Sequence, residues 1–442
     1  MDTFTTEQSR RREAIRRRLA GESRTVICKD LERPTRWFDK WWREYQERPD
    51  TQLADHSRAP HHSPHRLSPQ VERMIVCIRR AREAGRTPET RYGLIGQRTV
   101  QADLKRLQVE PLPSLAAIQR VLAKSGLTHP LGAATDTAYY PWLAAWASNA
   151  IHATDIITRH LCGGLEIQNF HTLDHFSHAV HLSQMLDKTS LTICTHLLET
   201  WADLGLPFIQ QFDNEGAFCG GHTHARVIGR VGRLCLFCGI EPLFIPEYEP
   251  KRNHLVETFH SVWLASFWSR CVFRNLAHVQ AEAPTFVDHY HRDYRPPSLA
   301  GKTPAQMRRG FKPFRFTRPL REVIPDGRLP ITAGRIHVIR KVDCQGTRSF
   351  LNESWCMGKQ WMGEYVWAMI DTLEQSVTFW QKADATAEWQ HLTTRRFQLK
   401  DPVQPLHLAF HRNRERCREH LPGYNQGKKQ RTMSGALRAT AY

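Results

Sequence analysis

Three acidic residues stand where carboxylates do metal chemistry. Asp155 lies inside a strand-like run, 151–157 (IHATDII), where a charge is costly unless it is used or solvated. Asp213 closes a second strand-like run, 207–214 (PFIQQFDN), and strand ends of this kind carry ligand-binding groups in α/β sheets. Glu257 falls in the first turns of a predicted helix, within 251–260 (KRNHLVETFH). Carboxylates at such ends can converge on two divalent ions. Mg²⁺, or Mn²⁺ in its place, takes oxygen ligands and keeps several waters, so a donor set without Cys or His suits it. Two ions about 4 Å apart activate the attacking oxygen and stabilise the leaving oxygen of an in-line phosphoryl displacement. Residues 131–309 hold 16 acids, so residue type alone leaves other triads open.

Charge narrows the partner. The 442 residues carry 62 Lys and Arg against 44 Asp and Glu, a formal net charge of +18. Residues 1–130 have 26 basic and 16 acidic side chains, 131–309 have 14 and 16, and 310–442 have 22 and 12. Two basic arms flank a near-neutral middle, which points to a polyanion, most often nucleic acid; solubility alone is the bland alternative. The longest apolar runs, such as 234–240, are far short of the ~20 residues a membrane span needs. The N-terminal stretch 5–23 is charged and has no apolar segment, unlike a secretory signal. The 11 cysteines are odd in number and scattered, which predicts reduced thiols in a cytosol. Cys235 and Cys238 form a CxxC with His222 and His224 as the nearest further zinc donors, but the run is apolar and helical, and buried free cysteine is the expectation.

The elements that must position these groups follow from periodicity. Residues 10–48 read as three short helices, the first stopped by Gly21, the second started by Ser23 or Thr25, the third capped by Thr35. In the third, Trp37, Phe38, Trp41 and Tyr45 face one way and Arg36, Lys40 and Arg43 the other, a helix-turn-helix candidate in residues 1–50 whose basic face would meet DNA. Residues 51–69 read as a linker in which His61, His62 and His65 are solvated. Residues 70–130 read as a second helical module, helix-turn-helix-like and also expected to bind DNA: Val71 to Ala84, Tyr92 to Leu107, and a helix capped by Ser114 and stopped by Gly126. From 145 to 310, strands give way to alternating helices and strands, predicting a mixed α/β sheet with helices on both faces. A long helix is expected over Arg252 to Phe273. Short strands at 328–385 predict a small all-β barrel, and 386–442 a basic, partly disordered tail. His171, His175, His178 and His181 alternate through predicted strands and are expected to be structural or solvated rather than metal ligands.

The segment 148–310 resembles the retroviral-integrase-type catalytic core found in DDE transposases of bacterial insertion sequences. Asp155 in HATDI matches the first Asp of that family, and LDHFSHAVHLSQM, with Asp174 and Ser177, is similar to its second strand and turn. Asp213-Asn214 with Phe218 resembles the second Asp motif. Cys238-Gly239-Ile240, Pro246, Glu249-Pro250, Asn253, Val256 and Glu257 resemble the approach to the catalytic Glu, and 294–306 (YRPPSLAGKTPAQ) the close of the core. Glu215 stands where the family usually has Gly, His254 follows Asn253 in place of Gly, and the Asp213 to Glu257 spacing exceeds the family's usual one around GGHTHARVIGRVGR. In that insertion, Arg226, Arg230 and Arg233 are candidate DNA contacts.

The resemblance implies an RNase H-like fold with a five-stranded sheet and polynucleotidyl transfer. Asp155 and Asp213 would hold metal, and Glu257 would complete the second of two Mg²⁺ or Mn²⁺ sites. Water would nick the element end, and the freed 3′-OH would attack target DNA. Glu215 would support or rival Glu257. Lys251 and Arg252 would contact phosphate, or else pair with Glu247 or Glu249. The bacterial relatives carry helix-turn-helix modules for their terminal repeats, and the C-terminal strands are similar to the barrel of phage Mu-like transposases. Implied partners are element and target DNA, a second copy of the chain and a transposition ATPase; the implied location is the bacterial cytoplasm, at the nucleoid, with no membrane. Competing readings are a DNA-binding regulator or target-selection subunit without activity, and a nuclease that only hydrolyses.

Overall fold

The computed structural model describes residues 7–49, 53–54, 67–128, 139–214, 216–219, 225–246, 249–315, 327–411 and 421–422. The chain forms two compact units, Met1–Arg66 and Leu67–Tyr442.

The first unit contains α1 (Glu7–Leu19), α2 (Arg24–Asp30) and α3 (Thr35–Glu47), the three helices expected. Ala14, Ile15, Ile27, Cys28, Phe38, Trp41 and Leu53 are buried between them. Arg11 is buried too: its Nη1 donates to the Leu53 carbonyl at 2.9 Å and its guanidinium lies 3.8 Å from the Trp41 ring centroid. Pro34, not Thr35, occupies the cap position of α3, because its fixed extended backbone ends the preceding turn. Arg36, Lys40 and Arg43 are exposed on α3. Most of the expected linker, with His61, His62 and His65, lies outside the described residues.

The second unit opens with α4 (Pro69–Ala84), α5 (Gln97–Arg106) and α6 (Leu115–Lys124) around Ile75, Val100, Leu104, Ile118 and Leu122. Ser114 caps α6 by accepting from the Ala117 amide at 3.2 Å. The helix expected from Tyr92 begins at Gln97 instead. Gly93 takes φ +39°, and a Cβ there would meet the Arg82 carbonyl at 2.3 Å, so this turn needs glycine.

The core follows as β1 (Ile151–His160), β2 (Glu166–Asp174), β3 (Val180–Met185), α7 (Ser190–Leu204), β4 (Ile209–Phe212), α8 (Gly216–Cys219), α9 (Arg230–Phe237), β5 (Glu241–Phe244), α10 (His254–Ser266), α11 (Leu276–Asp293) and α12 (Pro304–Met307). β1 pairs antiparallel with β2 and β2 with β3, while β1–β4 and β4–β5 are parallel. On one face, Phe170, Phe212 and Phe244 pack under Leu197 and Trp201 of α7 and Val231 and Leu234 of α9. On the other, Ala153, Ile167, Leu173 and Val180 pack under Val256, Phe259 and Trp263 of α10 and Phe286 and Tyr290 of α11. The expected mixed sheet with helices on both faces is therefore present. The helix expected over 252–273 is shorter, since α10 stops at Ser266 and Phe267 and Phe273 turn into the core. α11 then starts at Asn275, whose side chain accepts from the His278 amide at 2.9 Å.

The C-terminal strands depart from expectation. They are β6 (Ile331–Thr332), β7 (Arg335–Lys341), β8 (Thr347–Phe350), β9 (Glu353–Cys356), β10 (Tyr365–Asp371), β11 (Ser376–Gln381), β12 (Gln390–Arg396) and β13 (Val403–Gln404). Instead of closing into a free-standing barrel, β7 pairs in parallel with β5, matching Leu243 to His337 and Phe244 to Val338. Among the described residues one sheet runs β12-β11-β10-β7-β5-β4-β1-β2-β3. The cause lies in the side chains: Ile336, Val338, Val366, Ala368 and Ile370 share the apolar layer under α7 and α9, so these strands have no separate core to fold around. The start of the expected tail is ordered as well. β12 reads as polar because it is an edge strand with much of its surface solvated, and Phe397, Leu399 and Phe410 then anchor the chain in the same layer. Residues 412–420 and 423–442 lie outside the described residues.

A buried charge pair closes the core. Arg308, just after α12, lies 3.4 Å from the Asp174 carboxylate and donates to Asn149 Oδ1 at 3.0 Å and to the Leu204 carbonyl at 2.7 Å. Asp174 is fully buried and also accepts the Asn149 amide at 3.1 Å. Arg308→Ala leaves that carboxylate uncompensated, and thermal melting should show a loss of about 3–5 kcal/mol.

Candidate active site

The parallel pairing of β1 and β4 matches Thr154 to Phe212. One residue further along each chain come Asp155 and Asp213, so the register sets them side by side on neighbouring strand ends. Ala153, which precedes Asp155 by two, packs under α10, and side chains two apart share a sheet face. Both aspartates therefore belong to the α10 face.

α10 supplies the third carboxylate. Its entry is fixed by Gln211, two residues before Asp213, whose Nε2 donates to Asn253 Oδ1 at 3.0 Å. Further along, His260 Nδ1 lies 3.9 Å from Asp155 Oδ2. Asn253 is the cap residue of α10, four before Glu257, and Glu257 and His260 are three apart on one stripe of the helix. Glu257 thus lies on the stripe between a residue bound to β4 and a residue beside Asp155. All three carboxylates are half-buried.

Asp213 is followed by Asn214, which is pinned on the opposite sheet face. Arg340 of β7 donates to Asn214 Oδ1 at 2.5 Å and to the Ile245 carbonyl at 2.8 Å, and Asn214 itself donates to that carbonyl. The C-terminal strands thereby brace the strand end that bears Asp213.

Among the described residues no group of three His, Cys, Asp or Glu is gathered closely enough to hold a metal ion. The donor chemistry nonetheless fits Mg²⁺ or Mn²⁺: Asp155, Asp213 and Glu257 offer carboxylate oxygens, the donors a hard divalent cation prefers.

The other expected site residues divide. Glu215, His222 and His224 lie outside the described residues, as does the side chain of Lys251. Arg252 takes the ion-pair alternative: its Nε donates to Glu249 at 2.8 Å, its Nη2 to the Tyr365 hydroxyl at 2.7 Å, and it lies 4.5 Å from the Tyr140 ring centroid. Arg226 pairs with both Glu353 oxygens at 2.5 Å, and buried Arg233 donates to the Ile228 and Leu329 carbonyls at 2.8 and 3.0 Å and pairs with Asp401. These two bind the core to the C-terminal strands rather than facing a ligand. Cys235 and Cys238 are buried free thiols.

His171 and His260 were not foreseen as neighbours of the site. His171 is paired directly across from Asp155 on β2, and its ring lies 4.9 Å from that of His260. Both ring nitrogens of His171 and Nε2 of His260 are buried without hydrogen-bond partners among the described residues. The series His171, His175, His178 and His181 was the available signal; the pairing of His171 with Asp155 needed the register. If Asp155 holds metal, His260→Ala should raise the Mn²⁺ concentration that half-saturates binding by about 10–100-fold, the usual cost of losing a group beside a metal ligand. Titration calorimetry with Mn²⁺ and no DNA measures this directly.

Several other histidines of the core are buried in its packing or paired there. His175 stacks on Trp142 at 5.5 Å between centroids, and burial pushes its pKa down to about 3. His291 accepts the Val180 amide at 2.9 Å, which requires a neutral ring, and burial lowers its pKa to about 4. Burial also holds His152 and His196 well below the usual range. His181 instead pairs with Asp203 at 2.9 Å. A depressed histidine favours protonation of the unfolded chain, so stability is fully present above about pH 6.5 and is lost as pH falls towards 4. The melting temperature should fall steadily across that window.

In the core the strands run β3-β2-β1-β4-β5, antiparallel from β3 to β1 and parallel from β1 to β5. No protein-family model matches the chain, and neither does any curated protein. Among solved structures it is similar to the HTLV-2 integrase catalytic core determined with magnesium, at 19% identity over 37% of this chain and 98% of that chain, TM-score 0.29. It is also similar to a chain of the simian T-cell lymphotropic virus intasome in complex with PP2A regulatory subunit B56 gamma, at 16% identity over 68% and 95%, TM-score 0.33. The catalytic core of BIV integrase gives 18% over 36% and 93%, TM-score 0.27.

Proposed function

We propose that the chain is a metal-dependent polynucleotidyl transferase of the DDE transposase kind, which cuts DNA and joins the freed end to target DNA. The carrying observation is the strand register that sets Asp155 beside Asp213 on the face covered by α10, with Glu257 on the stripe between Asn253 and His260.

Asp155, Asp213 and Glu257 would hold two divalent ions. When bound, such ions supply Lewis acidity to the attacking and leaving oxygens. The chain's own part is placement. The β1–β4 pairing fixes the spacing of the two aspartates. The Gln211–Asn253 bond sets where α10 begins, and Val256, Phe259 and Trp263 lock its rotation by packing on the sheet. His260 stands beside Asp155, its Nδ1 3.9 Å from the carboxylate. In the first reaction a water oxygen bonds to phosphorus as the P–O3′ bond breaks, leaving a free 3′-OH. In the second, that 3′-OH attacks a target phosphodiester, so one bond forms as one breaks and no external energy source is needed.

The exposed Arg36, Lys40 and Arg43 of α3 would meet DNA phosphates or base edges. Joining two ends calls for a second copy of the chain.

The test is an assay with oligonucleotides carrying the ends of the element, with Mg²⁺ or Mn²⁺ and a target plasmid. Joined products are expected. Cleavage with no joined product would assign a hydrolytic nuclease, and binding with neither would assign a regulator.

A further inference from the structure

We propose that the cleft between α5 and α11 seats the phosphate backbone of duplex DNA, so that the DNA held by this chain runs from the helical module onto the catalytic core. The inference rests on the transferase reading and adds a binding surface to it.

The cleft has a volume of about 1020 Å³. Arg82, Arg98, Lys105, Arg106, Arg292 and Arg295 line it, against the carboxylates Glu89 and Asp293. Asp103 takes up two of the cations: Arg82 donates to it at 2.9 Å, and Arg106 pairs with it. Arg295 leans on the Gly301 carbonyl at 2.7 Å, and Arg292 lies 3.7 Å from Asp293. Two are left over. Lys105 is exposed and has no ion pair among the described residues. Arg98 has its Nε buried with no hydrogen-bond partner among them. A buried guanidinium N–H without an acceptor is costly, and an anionic oxygen entering the cleft would supply one. Like charges gathered on concave walls also focus a positive field into the opening.

The walls are rigidly joined. Arg270, from the segment between α10 and α11, donates to the Arg82 carbonyl at 3.3 Å. Glu282 of α11 accepts from the Tyr92 hydroxyl at 3.2 Å and pairs with Arg91 at 2.9 Å. Spacing between the cations of α5 and those of α11 is therefore built in.

The lining also indicates the kind of anion. No Phe, Tyr or Trp lines the cleft, and its one ring, His289, packs against Tyr92 at 5.2 Å between centroids and accepts from Arg292 at 2.9 Å, so little stacking surface is offered to an unpaired base. The volume exceeds that of one phosphate many times over. Abundant charge with little stacking surface suits a paired backbone, read without regard to sequence.

The experiment uses the full chain, a 30-base-pair duplex of mixed sequence and fluorescence anisotropy at several salt concentrations. The variants are Arg98→Gln, Lys105→Gln and the double. Each single change should reduce the slope of log affinity against log salt by about one, and the double should weaken binding about tenfold at ~0.15 M salt. Lys105 is on the surface, so its slope change reports phosphate contact independently of folding. Unchanged affinity and slope in all three variants overturns the proposal. Displacement of the duplex by a nucleoside triphosphate at low millimolar concentration also overturns it, since the cleft would then be a small-anion site. The joining assay on the unaltered chain separates the two readings: if joining occurs while the variants bind normally, only the cleft assignment fails, and if joining never occurs, the transferase reading fails whatever the cleft binds.

Discussion

Asp213→Asn should abolish DNA cleavage and joining while leaving duplex affinity unchanged. The substitution keeps the size of the side chain and removes the negative charge that would hold a cation at the end of β4. Losing metal-based stabilisation of the transition state costs several kcal/mol, about a thousandfold or more in rate. Folding should be little affected, because Asp213 is half-buried at a strand end, outside the packed layers on either face. Duplex binding measured alongside joining separates this from a folding defect. Joining at the unaltered rate would remove Asp213 from the chemistry. Asp155→Asn and Glu257→Gln should behave alike. A survey of all three also tests whether Glu215 can serve in place of Glu257.

The second large effect concerns the C-terminal strands. A chain ending at Pro330 keeps all three carboxylates but should not give a stable core. It loses β7, so β5 becomes an unpaired edge, and Phe244 loses Val338 as its neighbour in the sheet. It loses the guanidinium of Arg340 that holds Asn214 beside Asp213. The apolar layer under α7 and α9 opens where Ile336, Val338, Val366 and Phe397 had filled it. These losses together exceed the roughly 5–15 kcal/mol by which most domains are stable. Size-exclusion chromatography and near-ultraviolet circular dichroism should show an aggregated or molten chain with no cooperative melt. A self-contained barrel after residue 328 would predict the opposite, a shortened core that melts normally.

That contrast marks how much the residues alone disclose. The elements of the core were legible because their periodicity is strong and their ends are signposted. Ser114 and Gly126 frame α6. The positions of Asp155, Asp213 and Glu257 on two strands and a helix were legible for the same reason. Side-by-side placement of the aspartates was not, since register between strands far apart in sequence is set by packing on both faces. α11 stayed hidden behind Pro284, which lies inside it, although Val279, Ala283, Phe286 and Tyr290 mark its buried stripe. The end of the domain was misplaced because short strands at hairpin spacing look alike whether they close on themselves or join a larger sheet. Only the neighbours of β7 decide that, and β5 lies some ninety residues upstream. Arg226 and Arg233 resembled free cations in an insertion, and their partners Glu353 and Asp401 lie more than a hundred residues away.

The parallel pairing of β5 with β7 has a consequence for the chain as it is synthesised. Translation delivers the residues in order, and Asp155, Asp213 and Glu257 leave the ribosome well before Arg340. A nascent chain paused between them has its whole set of carboxylates but no strand to hold Asn214 or to cover the edge of β5. The last-made part of the sheet thus completes the support of the strand end that bears Asp213, so under the transferase reading the site is braced only once nearly all of the chain is made.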